Sequence, residues 1–129
     1  MIVVDASLLA PVVLDHGADG TRMRGRLRSE RIAAPDLAKV EAASVIRRHL
    51  ASGDVDHEQA TAAIEDLIEL PVLLFPTAPF LRRAWALRDN VTPYDACYVA
   101  LAETLACTML TADGRLVRAP GLRCPIELA

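Results

Sequence analysis

The sequence predicts an α/β fold in which a short, mostly parallel sheet lies between layers of helices. Three observations predict it. Short apolar runs alternate with longer segments of helical character, the pattern that builds parallel sheets from crossover units. Hydrophobic residues make up 53% of the 129 residues but aromatics only 4%. The core must therefore be built from Ala, Val, Leu and Ile, which suits helices on an apolar sheet better than an aromatic-rich β-sandwich. Gly, Pro, Asp and Thr stand where the segments should start and stop.

In chain order, Ile2-Val3-Val4 is a β-branched run ending at Asp5 and reads as a buried strand. Leu8 to Leu14 reads as a helix, with Pro11 tolerated if it falls in the first turn. Gly17 and Gly20 break the chain before an Arg-rich helix that runs to about Ser29. Ile32-Ala33-Ala34 is a second strand closed by Pro35, and Asp36 is the expected N-cap of a long helix through about Ala51, ended by Gly53. Asp56 caps the next helix, through about Leu70 before Pro71; Val72 to Phe75 is a third strand, and Ala78 to about Arg88 is helical. Thr92-Pro93-Tyr94-Asp95 is a helix start, with a capping hydroxyl, Pro at the first helical position and an acid three residues after the cap. That helix should reach about Leu105. Cys107 to Leu110 is a fourth strand ending in Thr111-Ala112-Asp113; a short helix follows, and Cys124 to Leu128 is a candidate edge strand. The length suits one domain over residues 1–129, with no repeat or linker.

The formal charge of −3 argues against a nucleic-acid partner, but the distribution matters more than the sum. Lys39 is the only lysine, and the arginines are grouped: Arg22 to Arg31, Arg47 with Arg48, and Arg82, Arg83 and Arg88. Guanidinium forks suit phosphate oxygens, while a solvated surface is the plainer alternative. Cys97, Cys107 and Cys124 are odd in number and lack metal-ligand spacing, so they read as small core residues in a reducing cytoplasm. Neither a signal peptide nor a membrane span is expected.

Two strands end in acids, at Asp5 and at Asp113. A parallel sheet gathers its ligand site at the carboxyl ends of its strands, so these residues can meet there despite their separation in sequence. Asp95 lies in the first turn of the helix before one of those strands, and Glu41 lies in the otherwise apolar stretch Val40 to Ile46. Clustered carboxylates repel unless a cation relieves them, and Mg²⁺ is a hard ion suited to oxygen ligands in an open site. Each acid also has an ordinary reading: Asp95 in a capping box, Asp5 as a helix cap, Asp113-Gly114 as a turn, Glu41 on a solvated helix face. From the residues alone the alternatives stay open.

Four segments in order resemble the PIN-domain family and, within it, the VapC-type toxins. They are Ile2-Val3-Val4-Asp5-Ala6-Ser7, Val40 to Arg48, Thr92 to Ala102, and Leu110 to Leu116. The resemblance spans essentially the whole chain. It implies a PIN-like three-layer sandwich with Asp5, Glu41, Asp95 and Asp113 grouped around Mg²⁺ or Mn²⁺. It implies an endoribonuclease acting on single-stranded or loop RNA, of the transfer or ribosomal class, in the cytoplasm. It also implies homodimerisation and inhibition by a VapB-type antitoxin, as the toxin half of a type II pair. On this reading Asp5, Asp95 and Asp113 hold the metal, Glu41 positions or deprotonates the attacking water, and Ser7 and Thr111 are hydroxyls beside the metal. Ser44 departs from the family pattern, in which many members carry Asn. Glu41, Ser44 and Arg48 stand at i, i+3 and i+7, so Arg48 should line the same cleft as Glu41. A non-catalytic PIN-like module that binds RNA or protein is the alternative. A phosphatase of the haloacid-dehalogenase type is disfavoured, because Ser7 stands where it needs a second Asp.

Overall fold

A computed structural model describes residues 1–129. Its centre is a five-stranded sheet, all parallel, in the order β3-β2-β1-β4-β5, with β1 at Ile2–Val4, β2 at Ile32–Pro35, β3 at Val72–Phe75, β4 at Thr108–Thr111 and β5 at Ile126–Leu128. The expected strands are therefore present, and Pro35 belongs to the second rather than closing it. β1 is the middle strand and all three of its residues are buried, which is why its sequence is continuously apolar rather than alternating. Strand order reverses at β1: the next strand in sequence lies on one side and β4 on the other. Acids that follow β1 and β4 are thereby brought to one crevice at the carboxyl edge of the sheet.

Seven helices flank the sheet: α1 Ala6–Leu14, α2 Ala18–Leu27, α3 Ala38–Ala51, α4 His57–Glu69, α5 Leu81–Ala86, α6 Pro93–Thr104 and α7 Gly114–Arg118. One group packs α1 against α2, α3 and α4; the other packs α5 on α6, with α6 lying on β1, β2 and β4. The three layers share a core of 30 buried residues that includes Val3, Leu8, Leu9, Ile46, Leu101 and Leu110. Seven consecutive residues of α6, Ala96–Ala102, are buried, so this helix is apolar on every side.

Three local readings are corrected. Pro11 lies in the middle of α1, not in its first turn, so the Ser7 carbonyl lacks its usual intrahelical donor. Burial of Leu8, Leu9, Val12 and Val13 holds the helix together despite that loss. Asp36 does not cap α3. The helix starts two residues later, with Leu37 at the cap position and no side-chain cap, and Asp36 instead accepts a hydrogen bond from the Thr77 hydroxyl. The segment expected to be one helix from Ala78 is a 3-10 turn, Ala78–Phe80, followed by the two-turn α5. The Asp56 cap forms as expected, and Gln59 completes it as a reciprocal capping box. Gly20 is required by packing, because a Cβ there would stand 1.9 Å from the Asp15 carbonyl oxygen.

Candidate active site

Asp5 is the pivot of the crevice. It is 4% exposed and serves as the N-cap of α1, accepting from the Ser7 N–H at 3.1 Å and from the Ser7 hydroxyl. Its other oxygen accepts from the Thr111 hydroxyl at 2.6 Å. Ser7 Oγ in turn accepts from Ala112 N–H at 3.0 Å, and Thr111 Oγ1 from Asp113 N–H at 3.0 Å. These bonds lock the end of β1 to the end of β4. Ser7 and Thr111 thus fix Asp5 and the loop that carries Asp113, and Asp5 is both a helix cap and a member of the acid cluster.

Asp5, Glu41, Asp95 and Asp113 all line one cleft of about 500 Å³, together with Ser7, Ser44 and Arg48. The helical spacing that placed Glu41, Ser44 and Arg48 on one face is what puts them on this wall. Thr92 caps α6, accepting from Asp95 N–H at 3.2 Å, but no reciprocal capping box closes from the Thr92 backbone N–H onto the Asp95 carboxylate. It faces the cleft instead, so the capping reading accounts for its backbone and not for its charge. Asp113 caps α7 through a bond from Arg115 N–H at 2.9 Å. Its carboxylate is also gripped by the Arg115 guanidinium, through Nε at 3.1 and 3.3 Å and Nη2 at 2.9 Å.

Burial pushes the Asp5 carboxyl above the ordinary carboxylate range, and the charge of Asp95 adds to the rise. Burial does the same to Glu41, with Asp95 and Asp5 adding to it, and to Asp95, with Asp113 adding to it. Asp113 is lowered, first by the hydrogen bonds from Arg115. Three carboxyls therefore resist ionisation side by side, while the fourth has its own cation.

A hard divalent cation fits this set chemically: the donors are all oxygen, and an added positive charge relieves the crowding that raises three of them. No three acidic, Cys or His side chains yet close on a single point as a ligand cage. Asp5 is held back by Ser7 and Thr111, and Asp113 by Arg115.

Sequence reasoning assigned no role to Tyr98, which is 1% exposed and whose hydroxyl donates to Glu41 Oε1 at 2.9 Å. The signal was present in the spacing, since Tyr98 stands three residues after Asp95 on the same helix face. Tyr94 was missed as well; it lines the cleft and is 62% exposed. The arginines of α2 do not reach the acids. Arg24 donates to the carbonyls of Val12 and Asp15, and Arg26 pairs with Glu30 and Glu127.

Residues 2–122 match the family model of the PIN domain. Ribonuclease VapC1 of Mycobacterium tuberculosis is 41% identical over 127 residues, covering 98% of this chain and 96% of the relative. Ribonuclease VapC12 of the same organism is 37% identical over 128 residues, covering 99% and 98%. In fold, the chain superposes on the crystal structure of M. tuberculosis VapC20, a sarcin-ricin-loop-cleaving toxin, with a TM-score of 0.71 at 17% identity, covering 95% and 97% of the two chains. VapBC2 from Rickettsia felis, solved on a fragment of its promoter DNA, gives a TM-score of 0.67 at 16% identity, covering 99% and 98%. The chain belongs to the PIN-domain family, as a member of its VapC type.

Proposed function

We propose that the protein is a divalent-cation-dependent endoribonuclease, the toxin of a type II toxin–antitoxin pair, which hydrolyses phosphodiester bonds in unpaired RNA. The observation that carries this reading is the convergence of Asp5, Glu41, Asp95 and Asp113 on one cleft, in which the Ser7 hydroxyl is committed to Asp5 and to the Ala112 N–H. VapC relatives named ribonucleases, similar along nearly the full chain, support it. Asp5, Asp95 and Asp113 would hold Mg²⁺ or Mn²⁺, directly or through waters. The bound ion would supply charge to offset that developing on the phosphate and to make water a better nucleophile. Ser7 and Thr111 hold Asp5 in place for this. Glu41, fixed by Tyr98, orients the attacking water and takes its proton. Incubation of the purified chain with single-stranded RNA, with Mg²⁺ or with a chelator, tests the reading. Cleavage only with the ion is expected; RNA binding without cleavage under either condition would instead make the chain a binding module.

Arg48 shares the wall with Glu41, about 10 Å further along the helix axis at the usual rise of roughly 1.5 Å per residue. That places it to grip a phosphate next to the scissile one. Arg47 is turned about 100° away. Arg48→Ala should weaken binding of an uncleavable RNA and flatten its salt dependence by roughly one counterion, with metal affinity unchanged. Arg47→Ala should do distinctly less. Equal, negligible effects would remove Arg48 from the site.

The antitoxin would seat an apolar helix beside the acids and direct an Arg or Lys at them. Val40, 73% exposed, and Tyr94 border the cleft and offer the apolar part of that seat. The solved VapBC2 assembly from R. felis supports a partner of this kind. A cation inserted among the carboxylates competes with the metal, so calorimetric titration should show weaker Mg²⁺ binding by the complex than by the free toxin. Equal affinity would exclude this mode of inhibition. Homodimerisation would cover apolar side chains left bare on α5, among them Leu81 at 53% exposure.

A further inference from the structure

Three of the thirteen arginines tie distant parts of the fold together. Arg24 ties α2 to the end of α1, Arg26 reaches Glu127 at 2.8 Å, and Arg83 donates to Glu103 at 2.8 Å and to the Gly121 carbonyl at 2.9 Å. Two others open onto a second cleft, of about 370 Å³, lined by Arg88, Asn90, Asp95, Asp113 and Arg115. Asp95 and Asp113 line both this cleft and the acid cleft, so the two hollows adjoin at the carboxylates. Arg48 and Tyr94 belong to the first hollow alone; Arg88 and Arg115 belong to the second alone.

Both second-cleft arginines are held in position with donors to spare. The Arg88 guanidinium lies 4.8 Å from the centre of the Trp85 ring, and its Nη1 donates to the Trp85 carbonyl at 2.9 Å. It has no carboxylate partner, although Asp89 lies in the same wall. Stacking restrains the fork without cancelling its charge. Arg115 spends Nε and Nη2 on Asp113, which leaves Nη1 unpaired on a side chain that is 86% exposed. A guanidinium has five N–H donors, so one edge can hold a carboxylate while another receives a phosphate oxygen.

We propose that the second cleft binds the RNA backbone on the side of the scissile bond opposite to Arg48, with Arg88 and Arg115 as its phosphate forks. An unpaired strand then crosses the acids from one hollow into the other. The acids repel a phosphate chain, and a strand gripped at one end alone would be pushed off the centre. Forks at both ends hold it over the carboxylates. Hollows of this size each take a nucleotide-sized group. The inference rests on the ribonuclease reading and adds to it the course of the substrate.

The test is fluorescence anisotropy of a labelled single-stranded RNA with non-hydrolysable linkages, in Mg²⁺, across a salt series. Arg88→Gln and Arg115→Gln are each expected to raise Kd roughly threefold or more and to reduce the salt slope by about 0.7, the value for one phosphate of a single strand. Arg115→Lys should recover part of the slope, because it keeps the charge. Trimming the RNA from one end should erase sensitivity to Arg88 and Arg115 while sparing that to Arg48, and trimming from the other end should do the reverse. Thermal melts show whether Arg88→Gln has disturbed Trp85; the salt slope is not moved by such a disturbance. If Arg48→Ala flattens the slope while the Arg88 and Arg115 variants do not, the second cleft is off the path and the ribonuclease reading stands. If Arg115→Gln changes only Mg²⁺ affinity, its role ends at Asp113 and the proposal fails for that residue. If the unaltered chain neither binds nor cuts RNA, the proposal falls together with the reading beneath it.

Discussion

Asp5→Asn should abolish RNA cleavage, a loss of roughly 10³-fold or more in kcat, while leaving the metal-free chain at least as stable as before. The expectation of retained stability follows from the contacts. Asn keeps an oxygen for the Ser7 N–H, and its amide can donate to Thr111 Oγ1, so β1 and β4 stay joined. What it removes is a buried charge beside Asp95 and Glu41. Asp5, Glu41 and Asp95 have raised folded-state values, each first through burial and then through its neighbours' charge. The folded chain therefore holds more protons than the unfolded one from the ordinary values, 3.8 for Asp and 4.5 for Glu, up to the raised ones. Their contribution to stability is fully present below that interval and is lost as pH rises through it. Asp113, Glu103 and Glu127 are lowered and act in the opposite sense, losing stability as pH falls below the ordinary range. In chelator, the melting temperature should decline as pH climbs above the ordinary carboxylate range, and less so in Asp5→Asn. Mg²⁺ should restore the loss in the parent and not in the variant. An Asp5→Asn protein that gains as much from Mg²⁺ as its parent would show that Asp5 is not a ligand.

How much of this was legible in the sequence depends on whether the signal was local. The strands were readable because a parallel strand buried on both faces is a short apolar run with no alternation, as in Ile2–Val4. The caps at Asp56 and Thr92 were readable because capping is decided within four residues. Asp36 misled for the same reason. Its local context is that of a cap, but a partner 41 residues away, the Thr77 hydroxyl, takes the carboxylate, and α3 starts later. Pro11 misled because burial of four neighbours outweighs one missing hydrogen bond.

The acids were legible as strand-end and first-turn residues, and the strand order supplies the reason they meet. The arginines were legible only in part. Helical spacing from Glu41 placed Arg48 on the wall of the cleft, where it stands. Grouping alone said less: in α2, Arg24 and Arg26 close onto backbone carbonyls and Glu127, while Arg115, which no grouping singled out, holds one of the four acids. Proximity in sequence says little about which face of a short helix a long side chain leaves from, and only the fold decides it.

Glu41→Gln is the second substitution expected to have a large effect, lowering kcat by roughly 10²- to 10⁴-fold with Mg²⁺ affinity little changed. Glu41 differs from the three aspartates in how it is held. It comes from the first turn of α3, as Asp95 comes from the first turn of α6, but its carboxylate is held by a single hydrogen bond, from the buried Tyr98 hydroxyl to Oε1. Oε2 is left free to face the cleft. Burial raises Glu41, the Tyr98 bond lowers it, and the charges of Asp95 and Asp5 raise it further. A carboxylate held above its ordinary value is a better proton acceptor than a solvated one, while the Tyr98 bond fixes which oxygen points inward. Tyr98→Phe separates the two contributions. Phe preserves the buried ring and removes only the hydroxyl, so the fold should tolerate it. A hydrogen bond to a charged group is worth about 1.5–3 kcal/mol, so losing its positioning should lower kcat by roughly ten- to a hundredfold. Loss of the lowering bond should also move the acidic limb of the pH–rate profile upward, since Glu41 then takes up its proton at higher pH. A purely structural hydroxyl would lower the melting temperature and leave that limb where it is. Cleavage by Glu41→Gln at the parent's rate would assign the proton to solvent, and Tyr98 would then orient nothing the reaction uses.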